Sequence, residues 1–483
     1  MDRFAATAPR PQACVRSSRN ALVPAPHTAP TTAGVLALVL LGGCITYTPD
    51  PLIPADEVQQ LLARGETVVE QRPGPWGKEW FPLEAEVRLA DGLGLGEACA
   101  LALFHSPALL SARAEAKVAG AQVLQAGLLS NPELFLGPRI STRDSALIFP
   151  VAISWELPLW GTGAAERDAA DAQHAERRLR AIEVELATLA QVREYFIRLA
   201  RLQQEEALLA TLATANDRIV AWVEGLQRAG GVDAVSLFLT RTEREEGSTA
   251  LERVRTEAKG LRRELCLLIG LLPNAAVQPV LDAASSALPE LPAADMKALL
   301  GRPAMKAAEA TYAAAEAALR REIGKQYPNV RIGPEFESDR GDPTIGIGLG
   351  ISLPLFDRNK GGIAAAEAAR AAAREQYRNT LLLAAHAEAR AREELEAAGR
   401  MLDAHTQGAF READQAGQAL AIRLGAGHVE VLEVLSAQRA IARVRARTFE
   451  LQERVLIARL RAAVAGGLAW ERPVARTDVE AKK

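Results

Sequence analysis

Residues 344–356 read Thr-Ile-Gly-Ile-Gly-Leu-Gly-Ile-Ser-Leu-Pro-Leu-Phe, and residues 148–160 read Ile-Phe-Pro-Val-Ala-Ile-Ser-Trp-Glu-Leu-Pro-Leu-Trp. In the first stretch Ile345, Ile347, Leu349, Ile351 and Leu353 alternate with Gly346, Gly348, Gly350 and Ser352. In the second, Phe149, Val151, Ile153, Trp155 and Leu157 are bulky and apolar, while Ala152, Ser154 and Glu156 are small or polar. A period of two over this length predicts a strand with one face in an apolar medium. About ten residues is also what a tilted strand needs to cross a hydrocarbon layer. The glycine and serine face suits a lumen better than a packed core. A soluble sandwich strand shares the alternation, so the surroundings of these stretches decide between the two. Trp160 and Phe356 stand at equivalent places just past each strand, where an interfacial aromatic belt would lie.

The two stretches are 196 residues apart, and the same offset recurs along the chain. Pro107 matches Pro303, Pro132 matches Pro328, and Gly137-Pro138 matches Gly333-Pro334. Leu157-Pro158-Leu159 matches Leu353-Pro354-Leu355, Gly231 matches Gly427, and Gly270 matches Gly466. One ungapped offset over so long a span establishes an internal duplication. Each half predicts a helix, two strands, a very long helix, a tight turn and a shorter long helix. The first helix spans about Ser106–Gly127 in one half and Pro303–Gln326 in the other, each closed by a breaker cluster. Shorter helices, about Gly96–Phe104 and Asp295–Leu300, precede them. The partner strands fall at about Glu133–Ser141 and Asn329–Ser338, with hairpin tips at Thr142–Ser145 and Asp339–Pro343.

The long helices run from Thr162 to Gln227 and from Lys360 to Leu424 without a proline. At ~1.5 Å per residue each is roughly 100 Å long, against about a dozen residues for an ordinary helix. Their partners run from Asp233 to Leu272 and from His428 to Gly467, after glycine turns at Gly230-Gly231 and Gly425-Ala426-Gly427. Those turns lay the two helices of each pair antiparallel. Four strands per chain do not close a barrel, and open strand edges in lipid leave N–H and C=O groups unsatisfied. The strands therefore call for oligomerisation. Two copies give eight strands, a barrel filled by its own side chains, and three give twelve, with room for a pore. The glycine-lined face favours twelve.

At the N-terminus Arg3, Arg10, Arg16 and Arg19 precede the apolar run Ala33–Leu41. This has the length of a signal-peptide core and is too short to span a bilayer. Leu41-Gly42-Gly43-Cys44 resembles a lipobox, which makes Cys44 the expected lipidation site. The competing reading is an ordinary signal in which that cysteine is incidental. The expected division is signal peptide 1–43, extended segment 44–94, repeats 95–289 and 290–471, and a disordered tail 472–483. A net charge of −3 gives no basic surface for nucleic acid. Four cysteines without a CxxC pair and six scattered histidines point to no metal site and no cofactor. The glycine string Gly92–Gly96 has no strand before it and no following Gly-Lys-Ser/Thr, and no nucleophile–base spacing can be recognised, so no enzyme is expected.

The order of these signals resembles the outer-membrane efflux protein (TolC) family, over about Leu95 to Trp470. The residues that carry it are Ala126-Gly127-Leu128-Leu129-Ser130-Asn131-Pro132-Glu133-Leu134, Leu157-Pro158-Leu159-Trp160, Leu353-Pro354-Leu355-Phe356 and Gly425–Leu435. The resemblance implies an α+β, mainly α, membrane protein: a homotrimer with a twelve-stranded β-barrel in outer-membrane lipid, continued by an α-helical barrel across the periplasm. It further implies a periplasmic adaptor protein and an inner-membrane transporter as partners. The helix-pair turns, Gly230, Gly231, Gly427 and His428, become adaptor contacts. Glu430 and Glu433, expected one turn apart on one side of the last helix, become tunnel-mouth candidates, with plain solvated surface as the alternative. Ser436 stands where the family often has a further acid, and the first-half equivalent of Glu433 is Leu237. Phe149, Val151, Ile153, Trp155, Ile345, Ile347, Leu349 and Ile351 become the membrane-facing strand positions. The rival architecture, a periplasmic adaptor or other coiled-coil lipoprotein, would carry one helical hairpin rather than two equivalent ones.

Overall fold

The computed structural model describes residues 47–64, 89, 92–137, 139–140, 147–148, 150–275, 277–280, 291, 296–339, 342–425 and 430–467. Cys44, Phe149, Gly427 and His428 lie outside them. Residues 1–57 and 58–483 form separate units, the boundary falling within helix α1 (Pro54–Ala63). That helix departs from the extended conformation expected of 44–94. Its sequence, Pro-Ala-Asp-Glu-Val-Gln-Gln-Leu-Leu-Ala, starts with Pro at the first helical position and acids in the first turn, both favourable at a helix start.

In the larger unit the duplication is visible element by element. The first half holds α2 (Leu95–His105), α3 (Pro107–Ala126), β1 (Glu133–Leu136), β2 (Arg139–Ile140), β3 (Leu147–Ile148), β4 (Val151–Leu157), α4 (Thr162–Arg228) and α5 (Ala234–Leu268). The second holds α6 (Met296–Gly301), α7 (Pro303–Gly324), β5 (Val330–Asp339), β6 (Asp342–Ile351), α8 (Lys360–His405), a π-turn (Thr406–Phe410), α9 (Arg411–Gly425) and α10 (Val431–Gly466). Pro107 and Pro303 each open their helix, where a missing N–H costs nothing.

Two elements differ from expectation. The second-half long helix is interrupted at Thr406–Phe410 by i→i+5 geometry, whereas α4 runs unbroken for 67 residues. The first-half strands are also split. β1 stops at Leu136, before Gly137-Pro138, and β4 begins only after Pro150. Proline has no N–H for a ladder, and Pro150 lies where pairing lapses between Leu136–Val151 and Arg139–Ile148. At the positions of Phe149-Pro150 the second half has Ile345-Gly346, and β5 and β6 pair without a gap over all ten residues.

The strands form one sheet in the order β1-β4-β5-β6, antiparallel throughout, with β2 and β3 as a separate two-stranded ribbon. β5 carries a proline mid-sheet. Pro334 offers no N–H to β4, and the β4–β5 ladder skips Gly333-Pro334 between the Ala152–Glu335 and Trp155–Ile332 pairs. Gly333 makes that local approach feasible, because a Cβ there would sit 1.6 Å from the Ile153 carbonyl oxygen.

Below the sheet the helices keep its order. α3 packs on α4, α4 on α7 and α7 on α8, and each is the direct sequence neighbour of a strand: α3 of β1, α4 of β4, α7 of β5 and α8 of β6. Further along, α5 takes the place of α3 and α10 that of α7, giving the order α5-α4-α10-α8. The main core lies where α2 covers α4 and α5, and includes Leu101, Leu109, Leu189, Phe196, Leu265 and Ile269. Arg201 of α4 ties the layer laterally, bonding Glu205 on its own helix, Glu257 of α5 at 2.8 Å and Glu453 of α10 at 2.6 Å.

Candidate functional site

Residues directly opposite in an antiparallel ladder share a face, so the register assigns both faces of the sheet. Leu136, Val151, Phe336 and Ile345 form one row across it, and Trp155, Ile332 and Leu349 another. Leu157, Val330 and Ile351 form a third. On this apolar face Ile345, Ile347 and Leu349 are 79%, 74% and 71% exposed, and Ile153, Trp155 and Ile351 are exposed as well. The opposite face carries Ala152 with Phe135, Glu335 and Gly346, Ser154 with Glu133, Gly333 with Gly348, and Glu156 with Arg331 and Gly350, Phe135 being its one aromatic among these. It is both smaller in side-chain volume and more charged than the alternation alone indicated. Besides Glu156 of β4, the acids come from β1 and β5, whose period-two pattern is weak. Glu156 is held by Arg331 at 3.7 Å and by the Asn329 amide, which donates at 2.8 Å.

At the strand–helix junctions Trp160 has φ +68° and Gly161 φ +75°. Two successive left-handed residues reverse the chain from β4 into α4. The Trp160 indole donates to the Pro328 carbonyl at 3.2 Å, and its ring lies 5.9 Å from that of Tyr327. The Trp155 indole donates to Ser130 O at 2.7 Å. Phe356 at the second junction is fully exposed.

The far end is built from the two helix pairs. Gly230 takes φ +74°, a value a side chain resists. Asp233 caps α5, its carboxylate accepting from Ser236 N–H at 2.9 Å, which holds its pKa below the ordinary value. Val223 of α4, Leu237 of α5 and Val431 and Leu435 of α10 close into one apolar cluster that joins the two halves. Arg439 of α10 adds an ionic tie. Its Nε donates to Glu243 of α5 at 2.9 Å, and its Nη2 approaches Glu243 and, at 3.5 Å, Glu246. Glu243 and Arg439 are themselves equivalent positions of the repeat, so the halves meet there like to like.

The two tunnel-mouth candidates occupy different environments. α10 begins at Val431, so Glu430 is the residue that caps the helix rather than one on its surface, and its carboxylate makes no capping bond. It is exposed. Glu433 is in the first turn and is gripped from both prongs by Arg423 of α9, whose Nη2 donates to Oε2 at 2.9 Å. The expected pair on one helix side is therefore one cap residue without a polar partner among the described residues and one clasped carboxylate. The sequence signal for the clasp, an arginine just before the turn and an acid just after it, lay across a turn whose length was uncertain.

No single helix among the described residues is long and apolar enough to cross a membrane. The outer membrane efflux protein model matches residues 99–271 and again residues 296–467. The chain belongs to the outer membrane efflux protein family. The two matches correspond to the two halves, and the efflux protein is thereby an outer-membrane channel component. It is 28% identical to the cobalt-zinc-cadmium resistance protein CzcC of Cupriavidus metallidurans, over 76% of this chain and 87% of that one. Among solved structures it is similar to VceC of Vibrio cholerae, with a TM-score of 0.63 at 22% identity, covering 77% of this chain and 95% of that one. It is also similar to the Campylobacter jejuni CmeC outer membrane channel, with a TM-score of 0.68 at 15% identity, covering 84% and 94%. These likenesses establish the mainly helical, TolC-like fold.

Proposed function

We propose that three copies of this chain close edge to edge into a twelve-stranded barrel in the outer membrane, continued by a helical tunnel, as the exit duct of a tripartite efflux system. The observation that carries this reading is the matched order of β1-β4-β5-β6 and α3-α4-α7-α8. The sheet ends in two unpaired edges, β1 and β6, and lipid does not tolerate unpaired edges. A second copy laid against β6 through its own β1 satisfies both edges, and the helices beneath follow in register. Closure with three copies leaves an open pore. The apolar row of Val151, Ile153, Trp155, Ile345, Ile347, Leu349 and Ile351, with Phe149, then faces lipid, and the glycine and acid face lines the lumen.

In this reading the signal peptide 1–43 is removed, Cys44 is acylated, and the repeats 95–289 and 290–471 build the channel between an extended lead and a loose tail. Gly230, Gly231, Gly427 and His428 are the turns that meet a periplasmic adaptor, itself coupled to an inner-membrane transporter. Glu430, exposed and without a polar partner among the described residues, is the better tunnel-mouth candidate, and Glu433 serves chiefly to hold α9 to α10. The cargo is divalent metal cations. This is supported by similarity to a cobalt-zinc-cadmium resistance protein and by the acids of the lumen face, since rings of carboxylates favour cations. Deletion of the gene in its own host should lower tolerance to cobalt, zinc or cadmium, restored by the intact chain. Unchanged tolerance to all three, with a trimeric channel still isolable from the membrane, would rule out the metal cargo and leave the duct.

A further inference from the structure

The two strand–helix junctions of the protomer share a sequence frame and differ in charge. At the second junction Leu353, Leu355 and Phe356 are exposed and continue the apolar face of β6. They lead into Asp357-Arg358-Asn359-Lys360. The Asn359 amide donates to the Glu322 backbone carbonyl at 2.9 Å and to its carboxylate at 2.8 Å, drawing the junction against the last turn of α7. Lys325 at 2.8 Å and Arg321 at 3.1 Å hold the same carboxylate, which brings the Glu322 pKa down to about 2. Asp357 is engaged too, accepting from the Asn359 N–H at 2.8 Å. Glu322 is thus satisfied from within, and Asp357 is turned back onto its own chain. Arg358 makes a 3.4 Å contact to the Pro354 carbonyl. Among the described residues, neither it nor Lys360 has a carboxylate within ion-pair distance, and both are exposed. Arg321, Lys325, Arg358 and Lys360 outnumber Glu322 and Asp357 by two. The corresponding first-half positions hold Gln125, Ala126, Leu129, Gly161, Thr162 and Ala164, none of them charged.

We propose that the second junction is a binding site for the phosphate of an anionic phospholipid, one per chain. The inference rests on the reading that β4–β6 cross the membrane. If they do, Leu353 and Leu355 lie only a few ~3.3 Å strand steps beyond Ile351, at the level where acyl chains end and headgroups begin. Fully exposed Phe356 is an interfacial anchor there. A phosphate diester supplies the oxygens that guanidinium and ammonium groups bind best, and basic pockets at a membrane surface take such headgroups. Phosphatidylglycerol is favoured over a zwitterionic lipid because the junction keeps two cations in excess of its acids and Glu322 is already held by Lys325, Arg321 and Asn359. The first junction, with its exposed Trp160 and a single arginine, Arg167, whose guanidinium is turned onto the Gly127 carbonyl at 3.2 Å, anchors in the interface without selecting a headgroup.

Native mass spectrometry of the full chain in detergent tests this, with palmitoyl-oleoyl phosphatidylglycerol or phosphatidylcholine added in parallel. The wild type should retain up to three phosphatidylglycerol molecules per assembly and release phosphatidylcholine. The double variant Arg358→Gln/Lys360→Gln should keep the same protein mass and lose about thirtyfold in phosphatidylglycerol retention, at roughly one surface cation's worth of attraction for each residue. Equal retention of both lipids, or no loss in the double variant, overturns the site. Displacement of phosphatidylglycerol by millimolar inorganic phosphate assigns the site to free phosphate and overturns it equally. A wild type that is monomeric by mass fails the channel reading itself, a result distinct from a trimer that binds no lipid.

Discussion

The two halves of the chain hold the same elements in the same order, yet the second builds an unbroken hairpin over a broken helix and the first a broken hairpin over an unbroken helix. β5 and β6 pair without interruption, while their first-half counterparts split at Gly137-Pro138 and Phe149-Pro150. Conversely α4 is continuous, and its counterpart carries a π-turn at Thr406–Phe410, next to His405. The His405 Nε2 lies 3.1 Å from both the Val444 carbonyl and the Thr448 hydroxyl of α10, so the irregular turn is pinned to its neighbour. Duplication supplied two copies of one scaffold, and local chemistry has since divided the work between them. Strand continuity is carried by the half with glycine where the other has proline, and the joint between helix pairs is carried by residues that differ at equivalent positions.

The comparison breaks most sharply at the paired glycines. Gly333→Val should abolish assembly of the folded protein, because its Cβ would overlap the Ile153 carbonyl. Gly137→Val, at the equivalent place, meets nothing within 4 Å inside the chain and should leave the protomer folded, its effect confined to closure against β6 of a second copy. Heat-modifiable mobility on gels and detergent chromatography read the difference. If both variants assemble equally, the β4–β5 approach is not what requires Gly333.

The next contrast is a reciprocal exchange. Leu237 is buried in the cluster with Val223, Val431 and Leu435, and its equivalent Glu433 is a partly exposed, arginine-clasped acid. Leu237→Glu should cost about 3 kcal/mol or more, as a carboxylate enters an apolar cluster. Glu433→Leu should cost about 1 kcal/mol or less, as expected of a surface pair. Thermal melts in detergent would show a large drop for the first and a small one for the second. Comparable drops would mean that the two halves are equivalent at this end.

Smaller still is the junction acid. Glu322 has its pKa depressed to about 2, chiefly by hydrogen bonds from Lys325 and Asn359. A carboxylate with a folded pKa below its unfolded value contributes stability above about pH 4.5, and that contribution is lost as pH falls towards 2. Glu322→Gln should therefore destabilise by about 1–3 kcal/mol at pH 7. The difference from wild type should vanish near pH 2. A pH-independent difference would assign the loss to packing instead. The equivalent Ala126 predicts no such dependence at the first junction.

Cys99 gives the smallest effect. Burial pushes its thiol up to about 12 against the opposing influence of Arg193, so it should resist maleimide at pH 8 in the folded protein and react once unfolded. Labelling of the native protein would show that α2 opens.

Much of this was legible in the sequence because it rests on punctuation and period. The ungapped offset exposed the duplication, alternation at Ile345–Leu353 exposed a strand, and proline-free runs exposed the rods. What escaped was set by pairing between distant segments. Pro150 falls where pairing lapses between Leu136–Val151 and Arg139–Ile148, a fact of register rather than of either stretch. The acids that join Glu156 on the small-residue face sit on β1 and β5, whose alternation is blurred by Gly and Pro. Arg423 and Glu433 meet across a turn, and Glu243 and Arg439 meet only because the repeat packs like against like. The helix at Pro54–Ala63 was hidden by surrounding prolines and aromatics that read as extended.

The central claim is that β1 of one copy completes β6 of another and that the ring closes at three. Single cysteines at Leu136 of β1 and Ile351 of β6, the repeat counterparts of the paired Ile332 and Trp155, placed in the same chain and oxidised in membranes test it directly. The account predicts cross-linked bands of two and three chains, with no higher species, and none when only one of the two strands carries a cysteine. Bands confined to a single chain, or a ladder continuing beyond three, would contradict it.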